Sequence, residues 1–236
     1  MKYSNKTWRA CALCMLAAFA MTTGCQNKPA ETADSTNAAT DSVVAESPLD
    51  NAVVRAIMDR RSVRKYKPEP VPKEMLDVIL HCGINAPNAM NEQRWEVRVT
   101  ESKAFIDGVT KVFIESAKDD ERVQKMVGDP DFRNMFRNAP TVIFVAGKGD
   151  EQRARIDCGL LGENIMLAAQ SMGLGTCCLG SAAGFLKSNP GAASYLKQLA
   201  FSDGYELLYA IAIGYPDESP EAKPREAAEQ PRVDAT

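Results

Sequence analysis

TVIFVAGKGDEQRARIDCGLLGENIMLAAQSMGLGTCCLG, residues 141 to 180, decides the architecture of this chain. Its first seven residues form a continuous apolar run, the pattern of a strand buried on both faces. From Arg153 to Met172, apolar residues (Ile156, Leu160, Leu161, Ile165, Leu167, Ala168 and Met172) predict one long helix, and Gly173 stands where a helix C-terminus favours glycine. TCCLG then reads as a second short strand. Further out, ELLYAIAIG at 206 to 214 predicts the last strong strand. Trp95, Val97 and Val99 alternate with Glu96, Arg98 and Thr100, as in a half-buried strand. Helices are predicted for 48 to 59, with Val53, Val54, Ile57 and Met58 at helical spacing and Asp50 as cap, and from Pro72 through Ile84. Residues 102 to 138 read as charged and mostly helical with a break at Gly128 to Pro130. Phe185 to Leu199 reads as helical with a break at Asn189 to Gly191. Strands and helices are interspersed without a regular βαβ rhythm, so the expected class is a layered α+β domain.

The chain has 236 residues, 45% apolar and 25% charged, with a formal charge of −3; this is the composition of one globular domain and not of a nucleic-acid binder, which needs a clustered surplus of Lys and Arg. The first 25 residues differ from the rest. Lys2, Lys6 and Arg9 precede ACALCMLAAFAM, which meets the small stretch TTG and Cys25. Such a run is too short to span a bilayer and reads as an export signal. Its end resembles the lipobox of bacterial lipoproteins, in which Cys25 becomes the acylated N-terminus; Thr22 and Thr23 depart from the usual residues. Residues 26 to 48, rich in Ala, Thr, Ser, Asp and Glu, have no apolar period and read as a disordered tether. Fully extended it reaches on the order of 75 Å. The expected organisation is therefore a signal at 1–25, a tether at 26–48, a folded domain at 49–226 and a flexible tail at 227–236. The expected location is the bacterial cell envelope, on the periplasmic face and held to the membrane by a lipid.

Four of the seven cysteines, at 82, 158, 177 and 178, lie in the folded domain, and Cys177 and Cys178 would point to opposite faces of a strand. With His81 the only histidine, neither a Cys/His zinc site nor a Ser-His-Asp or Cys-His catalytic set is expected.

Four patches carry candidate chemistry, although each alone also fits a solvated turn or an ordinary helix stop. Arg60, Arg61, Ser62 and Arg64 offer guanidinium forks and a hydroxyl suited to a phosphate. APNAMNEQRW, 86 to 95, presents Pro87, Asn88, Asn91 and Gln93 before a strand, and carboxamides supply both donors and acceptors. GLGTCCLG, ending at Gly180, is a stretch of small residues that would let a flat ring approach the backbone; it lacks the spacing of a dinucleotide fingerprint. Finally, GYPDESPEAKPR ends in the basic pair Lys223 and Arg225.

Together and in this order, the patches resemble the nitroreductase family of FMN enzymes over roughly residues 50 to 226. The resemblance implies a homodimer built on a central antiparallel sheet flanked by helices, with FMN bound between subunits. It also implies an FMN-dependent oxidoreductase, moving hydride through flavin N5 from a reduced donor, NAD(P)H in the family, to a nitroaromatic, quinone, flavin or similar acceptor. Arg60 and Ser62 would hold the phosphate, completed by Lys223 and Arg225, and Arg64 would lie near the ring. Asn91 would meet the flavin edge from a loop resembling Pro-Ser-x-x-Asn-x-Gln-Pro-Trp, in which Asn88 replaces the usual Ser and Arg94 the Pro. Asp157 and Asn164 resemble the family's central dimer helix and read as packing and interface. Because NAD(P)H is cytoplasmic, the export signal also leaves open a non-enzymatic flavin-binding or flavin-carrying lipoprotein, or an envelope protein with an empty site.

Overall fold

The structure, a computed structural model, describes residues 51–149 and 152–226. The signal with Cys25, the tether at 26–48, Asp50 and the tail at 227–236 lie outside the described residues. The first helix, α1 (Ala52–Asp59), is capped by Asn51, whose side-chain oxygen accepts from the backbone N–H of Val53 at 3.0 Å and Val54 at 3.1 Å. Next come α2 (Lys73–Ile84), with Pro72 at its N-cap, and the strand β1 (Trp95–Thr100). The charged region forms α3 (Lys103–Ser116) and α4 (Glu121–Val127), then a loop with no regular structure to Pro140. The apolar run is β2 (Thr141–Lys148), followed by α5 (Gln152–Ser171) and β3 (Gly175–Leu179). Gly173, at φ 76°, ends α5, and Leu174 N–H reaches back to the Ala169 carbonyl at 2.9 Å. The helix α6 (Gly180–Ser188) starts five residues before the expected Phe185, because Ala182 and Ala183 are small enough to be buried beneath the sheet. Then follow α7 (Ala193–Gln198) and β4 (Tyr205–Gly214).

The four strands form one antiparallel sheet in the order β1-β2-β4-β3. Central position explains why β2 is apolar throughout: Val142 and Phe144 pack on the side of α3, α6 and α7, whereas Ile143 and Val145 pack on the side of α2 and α5. The result is the expected α+β arrangement, a helical layer on each face of an antiparallel sheet. One helix stands apart from both cores. Although its apolar residues recur at helical spacing, α1 buries none of them, and Val53, Ile57 and Met58 are 66%, 51% and 67% exposed.

The segment after α1 adds to the edge of the sheet. Val63 N–H donates to the Thr176 carbonyl at 2.9 Å, and Ser62 makes a parallel bridge with Thr176. This approach requires glycine at position 175, where an added Cβ would lie 2.8 Å from both Cβ and Cγ2 of Val63. Val63 is buried, β-branched and tied by its own N–H, so it has little room to yield. Gly175→Ala is expected to cost about 1–3 kcal/mol, measured by urea unfolding, and to increase exchange of the Val63 amide before that of the β2 and β4 amides.

Candidate functional site

Residues 60 to 67 lie in a slot with the start of β3 on one side and the exit of β4 on the other. Tyr66 bridges to Pro216, Lys67 N–H donates to the Tyr215 carbonyl at 2.9 Å, and Asp217 N–H donates to the Lys65 carbonyl at 2.9 Å. Tyr66 is fully buried, and its hydroxyl donates to the carbonyls of Val63 at 2.6 Å and Ala212 at 3.3 Å. Its phenol is held above the usual tyrosine range, chiefly by burial. The opening basic motif and the closing Gly214-Tyr215-Pro216 motif, some 150 residues apart in sequence, are thus one piece of structure.

This slot fixes the direction of each basic residue. Arg60 follows α1 directly, with its Nε 3.6 Å from Glu163 Oε1 on α5. Arg61 turns back onto α1, donating to the carbonyls of Met58 at 2.6 Å and Arg60 at 2.8 Å, so that its charge sits on the C-terminal end of the helix dipole. Ser62 lies against β3 beside Cys177. Arg64 Nη1 donates to the Ser62 carbonyl at 3.0 Å and makes no ion pair among the described residues. Gly180 begins α6 at the end of β3, and a Cβ added there would meet nothing within 4 Å. Lys223 and Arg225 are exposed in the irregular segment after β4, and no hydrogen bond or ion pair joins them to Arg60, Ser62 or Arg64.

A residue that the sequence did not single out also serves the slot. The Glu218 carboxylate accepts the backbone N–H of both Arg64 and Lys65, the latter at 3.2 Å. It pins the tail that leads to Lys223 and Arg225 against the basic turn. The only sequence signal was its position just beyond Pro216.

The carboxamide loop is strained. Met90, Asn91 and Gln93 have φ of 56°, 54° and 49°, a left-handed conformation uncommon for residues other than glycine. Three contacts hold it there. Asn88 Oδ1 accepts from Gln93 N–H at 2.9 Å, Arg94 pairs with Glu92 at 2.6 Å, and the Ala89 N–H donates to both Asp157 carboxylate oxygens, at 3.2 and 3.3 Å. Asp157, only 4% exposed on α5, is therefore a clamp on this loop more than the packing residue its sequence context implied. Asn164 ties α5 to α2 through the Cys82 carbonyl at 3.1 Å.

The loop and the basic turn meet α5 on different faces. Asp157 and Glu163, which mark their contacts with α5, are six positions apart, on helix faces differing by about 120°. No hydrogen bond or ion pair joins Asn88, Asn91 or Gln93 to Arg60, Ser62 or Arg64.

The four cysteines in the described residues are free thiols, with Cys177 buried and Cys178 exposed on opposite faces of β3, as the strand alternation predicts. Burial pushes the Cys158 thiol from its ordinary 9.0 up to about 12, with the neighbouring Asp157 adding to the effect. Burial also raises Cys177, against the lowering effect of Arg64 and Arg137.

Two measurements follow from this geometry. Asp157→Ala is expected to cost about 1–3 kcal/mol by urea unfolding, whereas Asp157→Asn, whose carboxamide oxygen can accept the same N–H, retains most of the stability. The raised thiol and phenol act with a defined sign: the folded state holds protons that the unfolded state releases, so their contribution is complete below the ordinary thiol value of 9.0 and is lost as pH rises through that value toward about 12. Alkaline unfolding should begin above roughly pH 9, with Cys158 resistant to iodoacetamide until the chain opens, as read by peptide mass mapping.

The model of the nitroreductase family matches residues 57–215. A relative from Methanothermobacter thermautotrophicus is 31% identical over 129 residues, covering 52% of this chain and 58% of its own length. An NADPH-flavin oxidoreductase of Vibrio harveyi is 28% identical over 187 residues, covering 74% of this chain and 70% of that protein. Among solved structures, a nitroreductase of Bacteroides fragilis with bound FMN superposes at a TM-score of 0.67 with 26% identity, covering 78% of this chain and 100% of that one.

Proposed function

The chain belongs to the nitroreductase family, and from that premise we propose that it is an FMN-dependent oxidoreductase passing electrons from a reduced nicotinamide to a nitroaromatic, quinone, flavin or similar organic acceptor. The observation that carries the reading is the basic turn, with Arg60, Ser62 and Arg64, fixed at the sheet edge by pairing with the start of β3 and the exit of β4.

The donor set suits the cofactor. Two guanidinium groups and a hydroxyl make charge-assisted hydrogen bonds to a phosphate monoester. An exposed glycine at a helix start leaves room for a flat ring. Arg60 and Ser62 would hold the phosphate, with Lys223 and Arg225 brought in by the tail that Glu218 pins. Arg64 would face the ring, where a fixed cation favours the extra negative charge of the reduced state. When bound, FMN supplies the two-electron carrier, and the protein contributes orientation, charge and the exclusion of water.

We also read the active species as a homodimer. The carboxamide loop and the basic turn lie on different sides of α5, so a site that uses both takes one from each copy. The exposed apolar residues of α1, together with Ile156 at 55% and Leu160 at 40% exposed on α5, provide a face for the second copy. The sequence of residues 1–25 supports export and lipid attachment at Cys25, which would leave residues 26–48 as the tether that holds the domain off a bacterial envelope membrane. In that location the domain would meet its reductant outside the cytoplasm.

The test is the absorbance spectrum of the purified protein after incubation with FMN and removal of the excess. Flavin bands retained by the wild type and lost in the Arg60→Ala/Arg225→Ala double variant support the cradle, and NAD(P)H-dependent bleaching of those bands supports the oxidoreductase. Protein that never retains flavin refutes both. Retained flavin that neither NAD(P)H nor dithionite bleaches leaves a carrier in place of an enzyme.

A further inference from the structure

Residues 131–139, between α4 and β2, form a loop stitched to itself. Asn138 Oδ1 accepts the N–H groups of Arg133 at 2.7 Å and Asn134 at 3.0 Å, while Asn138 Nδ2 donates to the Asp131 carbonyl at 2.9 Å. Asn134 Nδ2 donates to the Ala139 carbonyl at 3.2 Å, and its Oδ1 accepts from Phe136 N–H at 3.0 Å. Phe136 and Ala139, both fully buried, anchor the two ends. Between these anchors the backbone is forced left-handed at two consecutive residues, Arg137 at φ 60° and Asn138 at φ 66°. Asparagine tolerates this region, whereas arginine pays a steric penalty there. A strained residue persists when its surroundings over-determine it, and such residues concentrate at binding sites.

The strain serves to present Arg137. Its side chain is exposed and makes no hydrogen bond or ion pair among the described residues. It lines a cavity of about 440 Å³ that Arg64 also lines, and both guanidinium groups act on the same buried pair, Tyr66 and Cys177. Neither guanidinium forms an ion pair among the described residues; the Glu218 carboxylate, held by the backbone N–H groups of Arg64 and Lys65, acts on Tyr66 and Cys177 with the opposite sign. Asp129, Asp131 and Asp217 share the wall, yet none forms an ion pair with either arginine, and the Asp129 carboxylate accepts its own loop's Asp131 N–H at 2.9 Å. Lys65, Arg133, Asn134 and Asn138 also line the cavity, and Met126, Phe132 and Met135, all half-buried, give it an apolar part against which an aromatic ring would rest.

We propose that Arg64 and Arg137 form an anion site that selects acceptors carrying a carboxylate or sulfonate on an aromatic ring. The assignment of the anion to an acceptor rests on the flavin reading, since that reading gives the phosphate to Arg60 and Ser62 and leaves Arg64 facing the ring. Bidentate guanidinium groups favour planar carboxylates over a neutral group of the same shape.

Benzoate and benzamide have nearly the same shape and differ in charge, so calorimetric titration of the purified protein with each isolates the anion term. Benzoate is expected to bind about tenfold more tightly than benzamide, with only the benzoate affinity falling as NaCl is raised. In Arg137→Gln the two affinities should become equal while the flavin bands are retained. Arg137→Gly guards against a folding artefact: glycine relieves the left-handed strain, so thermal stability should hold or rise as the preference disappears. Equal affinities in the wild type, or a benzoate preference that survives in both variants, would overturn the proposal. The titration is also made on flavin-free protein. A benzoate preference there, in protein that never takes up FMN, upholds the anion site while refuting the flavin reading; retained flavin with no preference does the reverse.

Discussion

The pairing of residues 62–67 with β3 on one side and with the exit of β4 on the other is the constraint on which the rest of the site depends. Through it a short, highly charged segment becomes a fixed part of the sheet edge. Val63 is held by the Thr176 carbonyl and by contact with Gly175, Tyr66 by total burial and two hydroxyl hydrogen bonds, and Lys65 by its carbonyl accepting from Asp217 N–H and its N–H donating to Glu218. Side chains between these anchors have little choice of direction. Arg60, Ser62 and Arg64 are therefore presented at low entropic cost to any ligand, because the ordering was completed when the sheet formed. Glu218 extends the same logic past β4. It places a carboxylate within a basic turn, where it satisfies two backbone N–H groups that would otherwise compete for an incoming anion.

The long helix α5 organises the second half of the site by carrying carboxylates on two of its faces. Glu163 meets Arg60, and Asp157 clamps Ala89. Because these residues point in different directions, one protomer holds a phosphate-type surface and a carboxamide-type surface that face apart. Under the proposed assembly each surface is completed by the other copy. This accounts for the otherwise costly exposure of Val53, Ile57 and Met58 on α1 and of Ile156 and Leu160 on α5, all on elements next to the basic turn or the loop.

Much of this was legible in the sequence because it depends on local periodicity. The apolar run of β2, the alternation in β1, the spacing in α5 and its glycine stop are each dictated by chain geometry, and all four elements form where they are expected. Family resemblance supplied the antiparallel sheet, which pattern alone left open among layered arrangements. Three features were beyond local reading. The early start of α6 depends on Ala182 and Ala183 fitting under the sheet, a tertiary effect that overrides the weak helix propensity of a glycine-rich segment. The cap of α1 falls on Asn51 instead of Asp50, since two adjacent residues have nearly equal capping strength and only the chain's path selects between them. Asp157 and Glu218 were hidden because their partners are backbone N–H groups, and a sequence pattern shows side chains but not where distant backbone will lie.

Backbone strain sets Arg137 apart from the other arginines among the described residues. Arg60, Arg61 and Arg94 sit in relaxed backbone and are engaged, with Glu163, with the end of α1 and with Glu92 respectively. Arg61 and Arg94 hold a helix end and a turn, and the Arg60 charge is partly offset by Glu163. Arg137 sits in strained backbone and forms no hydrogen bond or ion pair among the described residues. Among the described residues, left-handed backbone at residues other than glycine is confined to the carboxamide loop, to the pair Arg137 and Asn138, and to Ala200 beside the turn that Arg98 and Glu96 tie down. For Ala200 the neighbouring contacts explain the conformation. The carboxamide loop is explained in the same way by Asp157 and Asn88. At Arg137 the surrounding hydrogen bonds explain how the conformation is held, but they would hold a glycine or an asparagine equally well and at lower cost. The guanidinium is what glycine would lack, so the benefit that offsets the strain lies in what that cation meets in the cavity it shares with Arg64.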